Sequence, residues 1–474
     1  MIKNMPNLKA AQKRTAKQAR VVKNDFFIPE MMKDIGNNKS YTIITYGCQA
    51  NERDTETMNG ILEMMGYQNC ADVNQASIIL LNTCAIRDNA EKKVFGKIGA
   101  LKALKQNHPE IIFGICGCMA QEENTVKEIL AKYPHIDLVF GTHNINKLPS
   151  LLLEALQNKE TLVDVLSYEG EIIENLPTRR DNNFKAWVNI MYGCDKFCTY
   201  CIVPYTRGKE RSRLVADIVA EVKELKEAGY QEITLLGQNV NAYGKDLKTA
   251  ADFAYLLEQV ALTEIPRIRF MTSHPWDFSD EMIEVVAKYD NIMPFIHLPV
   301  QSGDNDILKI MNRHYTVEEY KKLYDKIKEA KPDVSFSTDI IVGFPNESRE
   351  QFEKTLELVK YCQFDNAFTF IYSPRLGTPA AKMVDNISIE EKQQRLQELN
   401  ELVNKYMFEK NKRFENTIVE VLVDGPSKKD SNILSGYTKH NKLVNFNGKK
   451  SLIGQRVSVK IKEVKTWSLQ GELI

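Results

Sequence analysis

Short β-branched, apolar runs alternate with segments of helical periodicity through most of this chain, and this alternation limits the possible fold more than any other feature. The first three runs and the helical segments that follow them lie at 41–46 and 52–65, at 77–82 and 88–105, and at 111–116 and 120–132. Repeated strand–helix units predict an open parallel α/β sheet. We assign this sheet to residues 41–160 and predict that the polar stretch at 161–183 is a linker.

A second strand–helix series fills residues 184–411. Its six strand candidates lie at 187–191, 232–236, 267–272, 295–299, 335–342 and 367–372. Helical segments separate most of these strands, and a long charged helix is expected at about 388–413. Six such units fit either a doubly wound sheet or a barrel with fewer than the usual eight strands, and the periodicity does not distinguish the two.

Residues 412–474 change to short strands divided by turn formers. Five strands are expected, at 417–423, 432–438, 442–446, 456–462 and 467–473. This pattern predicts a small closed or nearly closed all-β barrel. Some barrels of this kind bind single-stranded nucleic acid and others are purely structural, so both interpretations stay open.

The formal net charge of zero conceals an uneven distribution. Residues 1–40 carry nine Lys or Arg against three acidic residues, residues 411–474 carry twelve against six, and residues 41–410 have a net charge of −12. Two basic ends on an acidic body can hold a polyanion. A basic N-terminal arm at 1–40 and a lysine-rich barrel that are merely solvated would give the same counts.

The chain shows neither the apolar stretch of a signal peptide nor a run of 18 apolar residues, so we expect a cytoplasmic protein without a membrane partner. It contains nine cysteines. In a reducing compartment, an odd and clustered set of cysteines favours metal binding or redox chemistry over disulfides.

Cys194, Cys198 and Cys201 lie within eight residues, in the loop after the first strand of the second series. Thiolates at this spacing can converge on one metal centre, and three ligands leave one iron position open for chemistry. A zinc site would usually add a fourth Cys or His at a matching spacing, and none follows in the sequence. We therefore favour an iron–sulfur cluster over zinc.

Cys48, Cys84 and Cys118 each lie two residues past one of the first three predicted strands. The carboxyl ends of neighbouring parallel strands open into one crevice, so these thiolates can form a second three-cysteine site. Unrelated buried cysteines would also fit this spacing. Five other residues are assigned to structure: Cys70, Cys116, Cys362, His274 and His297.

Several motifs match a known family. The Cys-x3-Cys-x2-Cys spacing in the first loop of an incomplete barrel resembles the radical S-adenosylmethionine superfamily. The surrounding motifs are more specific, and they lie at 46–51 (Tyr-Gly-Cys-Gln-Ala-Asn), 82–84 (Asn-Thr-Cys), 117–121, 193–208, 272–275 (Thr-Ser-His-Pro), 297–303 and 372–379. Together they are similar to those of the methylthiotransferases, most closely of the MiaB type that acts on tRNA, over about residues 41–474.

This resemblance implies three domains: an N-terminal methylthiotransferase domain with an auxiliary cluster, a radical S-adenosylmethionine domain built as an incomplete (β/α)6 barrel, and a C-terminal TRAM barrel that binds RNA. It implies two 4Fe–4S clusters, one on Cys194, Cys198 and Cys201 and the other on Cys48, Cys84 and Cys118. Family position also implies contacts with S-adenosylmethionine, made by Tyr200 to adenine, by Gly237 and Gln238 to the methionine end, and by Asp339 to the ribose.

The implied reaction adds a methylthio group at C2 of N6-isopentenyladenosine beside the anticodon. In the family, the first cluster cleaves S-adenosylmethionine to a radical that removes the hydrogen, the auxiliary cluster is understood to carry or supply sulfur, and a second S-adenosylmethionine methylates it. Because the cofactors carry this chemistry, no side chain is assigned as a catalytic acid or base. The implied partners are tRNA containing isopentenyladenosine and an electron donor such as flavodoxin or ferredoxin, and we expect a monomer.

Two other functions stay open. A sister methylthiotransferase acting on a ribosomal protein or on threonylcarbamoyl adenosine would share both cysteine sets, although the motifs at 46–49 and 272–275 favour the isopentenyl substrate. A non-catalytic iron–sulfur protein that binds RNA is the alternative from another class. One departure from the family is visible at 343–348, where Asn346 and Ser348 stand in place of the frequent Gly and Thr. Asn tolerates positive φ, so the turn remains possible.

Overall fold

The computed structural model describes residues 1–13, 19–23, 26–85, 88–158, 160–167 and 171–474, without the side chains of 88–92. The chain divides into two compact units. Unit 1 comprises Met1–Asp181, Asn189–Phe197 and Cys201–Arg213, and unit 2 comprises Asn182–Val188, Cys198–Tyr200 and Leu214–Ile474. Within the described ranges, no helix is both long enough and apolar enough to cross a lipid bilayer.

The described part of residues 1–181 contains nine strands and five α-helices. The strands are β1 (Ile2–Asn4), β2 (Val21–Lys23), β3 (Ser40–Tyr46), β4 (Gln68–Asn69), β5 (Ile78–Thr83), β6 (Ile112–Gly117), β7 (Leu138–Phe140), β8 (Leu162–Asp164) and β9 (Ile172–Glu174). The helices are α1 (Leu8–Gln12), α2 (Gln49–Met64), α3 (Asp88–Asn107), α4 (Glu123–Lys132) and α5 (Leu148–Gln157).

Seven of these strands form one parallel sheet in the order β1-β8-β7-β6-β5-β3-β4. Every residue of β5 and β6 is buried, as expected for central strands of a sheet that is covered on both faces. Two separate apolar clusters pack on this sheet, one containing residues of α2 and α5 and the other residues of α3 and α4. The predicted parallel α/β sheet is confirmed.

The predicted arm at 1–40 and the predicted linker at 161–183 both contribute strands to unit 1. Ile2 pairs with Val163, which places β1 and β8 at one end of the large sheet, and Val21 pairs with Ile172 in a separate two-stranded sheet. The arm predicted at 1–40 and the linker predicted at 161–183 therefore contain strands that the sequence did not predict. Three-residue strands whose partners are about 150 residues away leave no local periodicity. The remainder of both segments includes 14–18, 24–25 and 168–170, which lie outside the described residues.

All six strands of the second predicted series are present. From residue 182 to 411 the strands are β10 (Lys185–Asn189), β11 (Met191–Tyr192), β12 (Arg211–Ser212), β13 (Glu232–Leu236), β14 (Ile268–Phe270), β15 (Phe295–His297), β16 (Ser335–Val342) and β17 (Asn366–Ile371). The helices are α6 (Val203–Thr206), α7 (Val215–Glu227), α8 (Phe253–Ala261), α9 (Asp280–Lys288), α10 (Asn305–Ile310), α11 (Val317–Ala330), α12 (Arg349–Cys362) and α13 (Ile389–Asn411).

The strand order of unit 2 distinguishes the two architectures that the sequence left open. The strands form the sheets β10-β13-β14 and β15-β16-β17, and a parallel bridge between Ile268 and Ile292 links them. Order in space therefore follows order along the chain, whereas a doubly wound sheet reverses at a switch point. The winding is that of an incomplete six-stranded β/α barrel.

The turn before α12 contains the two residues that depart from the family pattern. Asn346 has a φ of 65°, so it adopts the left-handed conformation for which asparagine is a tolerated substitute. Ser348 caps α12 and forms a reciprocal capping box with Gln351. Both departures keep the local structure.

The C-terminal segment is a closed five-stranded barrel, as predicted. Its strands are β18 (Ile418–Pro426), β19 (Ile433–Thr438), β20 (Leu443–Asn447), β21 (Arg456–Val464) and β22 (Leu469–Leu473), in the order β18-β19-β20-β22-β21. Within unit 2 the barrel is joined to the β/α strands by buried charges. The fully buried Arg267 forms a 2.8 Å ion pair with Glu420, and Asp365 binds Lys442 and Arg413 at 3.1 Å each.

Candidate metal centres

Three cysteines lie side by side along the carboxyl edge of the large sheet in unit 1. The register pairs Tyr46 with Thr83 and Thr83 with Gly117, so β3, β5 and β6 end at the same level. Cys48 follows β3 by two residues, and Cys84 and Cys118 follow their strands by one residue each. The aligned register brings three loops that carry thiols to one edge of the sheet, as the sequence predicted.

The surroundings of Cys48 favour its thiolate form. A hydrogen bond from Cys84 and the positive charge of Arg207 hold the pKa of Cys48 well below its usual range, against the effect of burial. Its Sγ also lies 3.4 Å from Oδ1 of Asn51. By contrast, burial raises the pKa of Cys118 although Arg207 opposes the shift. The thiolate form, which binds metals, is favoured at Cys48.

Two asparagines tie the cysteine-bearing loops together. Asn51 donates from Nδ2 to Oδ1 of Asn82 at 3.0 Å, and Asn82 donates back to the Asn51 carbonyl at 2.8 Å. Gly117 has a φ of 93°, and a Cβ there would lie 2.4 Å from Oδ1 of Asn82. Only glycine therefore lets β6 end against this amide pair and leave Cys118 in place.

Arg207 is a site residue whose only signal in the sequence is its position within the motif at 193–208. Its Nε donates to Sγ of Cys118 at 3.1 Å, and its Nη2 lies 2.7 Å from Oδ2 of Asp54. Both Arg207 and Asp54 are buried. Arg207 follows Cys118 by 89 residues, so no spacing rule relates the two. A buried arginine with a carboxylate partner thus lies against the cysteine set that contains Cys118.

The start of the loop from Cys194 to Cys201 is held by contacts with residues close to it in the sequence. In unit 1, the Cys194 N–H donates to the Gly208 carbonyl at 3.1 Å. The ring of Phe197 packs edge-on against Tyr205, with centroids 5.8 Å apart. These contacts hold the start of the loop against the segment at 205–208 within unit 1.

Cys198 belongs to unit 2, where it is buried beside a second arginine. Nη1 of Arg313 donates to Sγ of Cys198 at 3.6 Å. Nε of Arg313 donates to the Tyr315 hydroxyl at 3.0 Å, and Nη2 donates to the Pro299 carbonyl at 2.8 Å. Arg313 was not predicted as a site residue. It lies 115 residues from Cys198, and no sequence pattern relates them.

The four predicted cofactor contacts all lie in unit 2. Tyr200 packs against an apolar cluster that includes Met311 and Tyr372. Gly237 and Gln238 directly follow β13, and the carboxylate of Asp339 in β16 lies 3.5 Å from Nε2 of His297. Ends of barrel strands are where ligands bind in such folds. The contacts of these four residues with S-adenosylmethionine remain predictions.

The cysteines and histidines assigned to structure lie in packed surroundings. Cys116 is fully buried, with Sγ 3.8 Å from the sulfur of Met58, and Cys362 is buried at the end of α12. His297 bonds Ser337 through Nδ1 at 2.8 Å, and His274 accepts a hydrogen bond from the backbone N–H of Trp276.

Both triplets have a donor set that suits an iron–sulfur cluster. None of the described cysteines is in a disulfide, and a buried arginine contacts one thiol of each triplet. In the part of the chain that the structure describes, no group of three Cys, His or acidic side chains is already arranged around a metal position. The cluster ligands therefore stay predictions that the donor chemistry supports.

Three family models match the chain, and each covers a segment with a different architecture. The Radical SAM superfamily matches residues 188–359, the uncharacterized protein family UPF0004 matches residues 40–141, and the TRAM domain matches residues 412–474. Membership of the Radical SAM superfamily implies a 4Fe–4S cluster and S-adenosylmethionine as cofactors.

Curated relatives match over nearly the whole chain. A tRNA-2-methylthio-N(6)-dimethylallyladenosine synthase from Anoxybacillus flavithermus is 58% identical over 99% of this chain and 89% of its own length. The chain belongs to this family of synthases. The synthase of the same name from Bacillus subtilis is also 58% identical, over 99% of this chain and 92% of its own. Family membership confirms the prediction of a radical S-adenosylmethionine methylthiotransferase.

Solved structures support the fold of this synthase family. The radical S-adenosylmethionine methyltransferase TsrM from Kitasatospora setae, solved with a tryptophan substrate and an S-adenosylmethionine analogue, superposes with a TM-score of 0.51. The match covers 72% of this chain and 75% of that chain at 13% sequence identity. At this identity the likeness concerns the fold alone, and it agrees with the predicted combination of an α/β sheet and an incomplete β/α barrel.

Proposed function

We propose that the protein converts N6-isopentenyladenosine beside the anticodon of tRNA into its 2-methylthio derivative. The observation that carries this proposal is the identity of 58% over 99% of the chain to synthases named for this product. The alternatives acting on a ribosomal protein or on threonylcarbamoyl adenosine have no comparable support among these relatives.

Two 4Fe–4S clusters and S-adenosylmethionine form part of the proposal. Cys194, Cys198 and Cys201 would hold one cluster, and Cys48, Cys84 and Cys118 would hold the other. When bound, these groups supply radical C–H activation, sulfur insertion and methyl transfer, which side-chain acids and bases cannot perform on an aromatic C–H bond. Three cysteines per cluster leave one iron without a protein ligand, as both binding S-adenosylmethionine and carrying sulfur require.

The side chains around the thiols orient and polarise them. Arg207 and Arg313 each donate a hydrogen bond to one cysteine sulfur, and the Asn51–Asn82 amide pair holds two of the loops in unit 1. Hydrogen bonds to cluster sulfurs and local charge set the properties of such centres. These residues would position the ligands without contacting the reacting base.

The C-terminal barrel is the proposed contact for the tRNA backbone. Four lysines of the barrel are exposed although the barrel packs against the rest of unit 2: Lys428, Lys429, Lys449 and Lys450. Lysines of this kind neutralise phosphates and make binding sensitive to salt, whereas they carry little sequence information. Recognition of the modified base therefore belongs elsewhere in the molecule.

The boundaries that we propose for the functional segments are those expected from the sequence: a methylthiotransferase domain at 41–160, a radical domain at 184–411 and the TRAM barrel at 412–474. A flavodoxin or ferredoxin as electron donor and a monomeric state complete the proposal.

Mass spectrometry of tRNA nucleosides from a strain that lacks this protein tests the function. We expect 2-methylthio-N6-isopentenyladenosine to disappear and N6-isopentenyladenosine to accumulate. The wild-type chain should restore the product, and the Cys198→Ala chain should not. An unchanged level of the product would overturn the proposal, and loss of a methylthio derivative of threonylcarbamoyl adenosine would identify the sister activity instead.

A further inference from the structure

A buried arginine donates a hydrogen bond to one proposed cluster ligand in each unit, and the two arginines differ in their other partners. Arg207 contacts Cys118 in unit 1, and Arg313 contacts Cys198 in unit 2. Both side chains are buried, so their charges act at low dielectric and are little screened by salt. Nothing in the reaction itself requires an arginine at either position.

Arg207 has a carboxylate partner. Its guanidinium spans Cys118 on one side, at 3.1 Å, and Asp54 on the other, at 2.7 Å. Burial raises the pKa of Asp54, and Arg207, which keeps its proton and lies 2.7 Å away, opposes that shift by favouring the carboxylate form. With Asp54 in its carboxylate form, the positive charge of Arg207 and the negative charge of Asp54 nearly cancel at Cys118.

Within the described ranges of the chain, the partners of Arg313 other than its cysteine are neutral groups. They are the hydroxyl of Tyr315 and the carbonyl of Pro299. Among the residues that the structure describes, no Asp or Glu forms an ion pair with Arg313. Burial raises the pKa of Tyr315, so its hydroxyl stays neutral. Cys198 therefore lies beside a full positive charge.

A cluster that accepts an electron becomes more negative, so a nearby cation and a hydrogen bond to a cluster sulfur both favour reduction. We propose that Arg207 and Arg313 are positioning residues that set the reduction potentials of the two clusters, and that Asp54 offsets the positive charge at the cluster on Cys118 alone. The inference rests on the proposed function, because it requires both clusters. It follows that the charged side chains favour reduction more strongly at the cluster on the cysteine set that contains Cys198 than at the other cluster.

Midpoint potentials measured one cluster at a time test this assignment. The full-length chain is reconstituted anaerobically with iron and sulfide in two backgrounds, one with Cys194, Cys198 and Cys201 replaced by Ala and the other with Cys48, Cys84 and Cys118 replaced by Ala. Each sample is titrated with dithionite and followed by electron paramagnetic resonance. Iron and sulfide contents of about four each per chain in both backgrounds confirm that each cluster is present.

For the cluster on Cys48, Cys84 and Cys118, the two partners should act in opposite directions. Asp54→Asn should raise the midpoint potential, by roughly a tenfold change in the one-electron equilibrium constant or about 59 mV. Arg207→Gln should lower it by a similar amount. The double variant R207Q/D54N should have a midpoint potential between those of the two single variants. It removes both charges of the pair, so it can be measured even if R207Q alone fails to fold because Asp54 is left buried and unpaired.

Two controls separate this effect from general disturbance. Glu56→Gln removes another buried carboxylate from α2, one that contacts Arg53 and Arg180 but not Arg207, and it should leave the potential unchanged. In the other background, Arg313→Gln should lower the potential of the cluster on Cys194, Cys198 and Cys201 by roughly tenfold in the equilibrium constant, and Asp54→Asn should not move it.

The inference fails if Asp54→Asn lowers or leaves unchanged the potential of a cluster that is present in normal amount, or if Glu56→Gln raises it as much. In that case the proposed function stands. If the first background binds no iron at all, the second cluster of the proposed function and this inference fall together.

Discussion

The two cysteine triplets are assembled by different means. Cys194, Cys198 and Cys201 lie within eight residues, so the length of chain that joins them limits how far apart they can be. Cys48, Cys84 and Cys118 span 71 residues and depend on three parallel strands that end at one level. The first set depends mainly on local chain geometry, and the second depends on correct register of a whole sheet, because a slip of one residue would move a thiol away from the edge.

Two buried carboxylates, one in each unit, have pKa values shifted in opposite directions. In unit 1, burial outweighs Arg53 and Arg180 and raises the pKa of Glu56 to about 7. In unit 2, burial acts in the same direction on Asp365, but Lys442 and Arg413 outweigh it and lower the pKa. The opposite pKa shifts reflect the balance between burial and the nearby cations, which lie at about 3.1 Å from Asp365 and beyond 3.5 Å from Glu56.

The largest expected effect is that substitutions in the two cysteine triplets abolish different reaction products. Cys198→Ala should reduce 5′-deoxyadenosine formation to background while tRNA binding and one cluster are retained, because the site for S-adenosylmethionine is lost. Cys118→Ala should still form 5′-deoxyadenosine but yield no methylthio product. Chromatography of both products after anaerobic turnover measures this. Cys70→Ser, outside both triplets, serves as the control.

Formation of 5′-deoxyadenosine at the wild-type rate by the Cys198→Ala chain would contradict the assignment. Equal loss of stability and tRNA affinity in both cysteine variants, with turnover of the remaining enzyme intact, would instead support a non-catalytic iron–sulfur protein.

A substitution at Gly117 tests whether the triplet of Cys48, Cys84 and Cys118 depends on the sheet. Gly117→Ala forces a Cβ to within 2.4 Å of Asn82 at a φ of 93°, so the loop bearing Cys118 must move. We expect iron to fall from about eight to about four per chain after reconstitution, with 5′-deoxyadenosine formation retained. Gly229→Ala is the matched control: its φ is 88°, but a Cβ there meets nothing within 4 Å.

The Gly229→Ala chain should keep both clusters and lose only about 1–2 kcal/mol of stability from the left-handed backbone. If Gly117→Ala retained a full complement of iron and sulfide, the role of the strand end in forming the second site would be refuted.

A smaller effect concerns pH. Because the folded pKa of Glu56, about 7, lies above its ordinary value of 4.5, this residue contributes stability that is complete below about pH 4.5 and is lost as the pH rises through about 7. We expect the urea midpoint of the wild-type chain to fall between about pH 5 and about pH 8 more than that of the Glu56→Gln variant. Circular dichroism at several pH values measures both midpoints.

The partly exposed Glu123 on α4, which pairs with Lys127, provides a control, because Glu123→Gln removes a carboxylate that is not buried. A Glu56→Gln chain with the full wild-type slope would show that this carboxylate does not titrate near neutral pH.

The smallest expected effect concerns the exposed lysines of the barrel. Replacing both Lys449 and Lys450 with Ala should weaken tRNA binding several-fold. It should also reduce the slope of log affinity against log salt concentration by about one to two, because each phosphate contact contributes slightly less than one to that slope. Titrations at several salt concentrations measure the slope. Lys127→Ala in unit 1, which removes a lysine paired with Glu123, should leave it unchanged. Equal slopes for all three chains would exclude a phosphate contact at these two lysines.

Much of the architecture was predictable because it repeats locally. The strand–helix alternation located the strands that became β3, β5 and β6 and all six strands of the second series, each to within a few residues. The same periodicity did not reveal β1 or β8, which pair across about 160 residues, nor did it distinguish a barrel from a doubly wound sheet. Those features depend on which strands become neighbours.

The sequence by itself determined the two cysteine sets, the basic C-terminal barrel and the family, since short motifs and hydrophobic periods are properties of the chain. Only the tertiary structure showed that Arg207 lies between Asp54 and Cys118, and that Arg313 lies beside Cys198 with no carboxylate partner among the described residues. The reason is physical: a thiol's electrostatic environment is set by groups within a few ångströms, and folding brings those groups together from positions 64 to 153 residues apart.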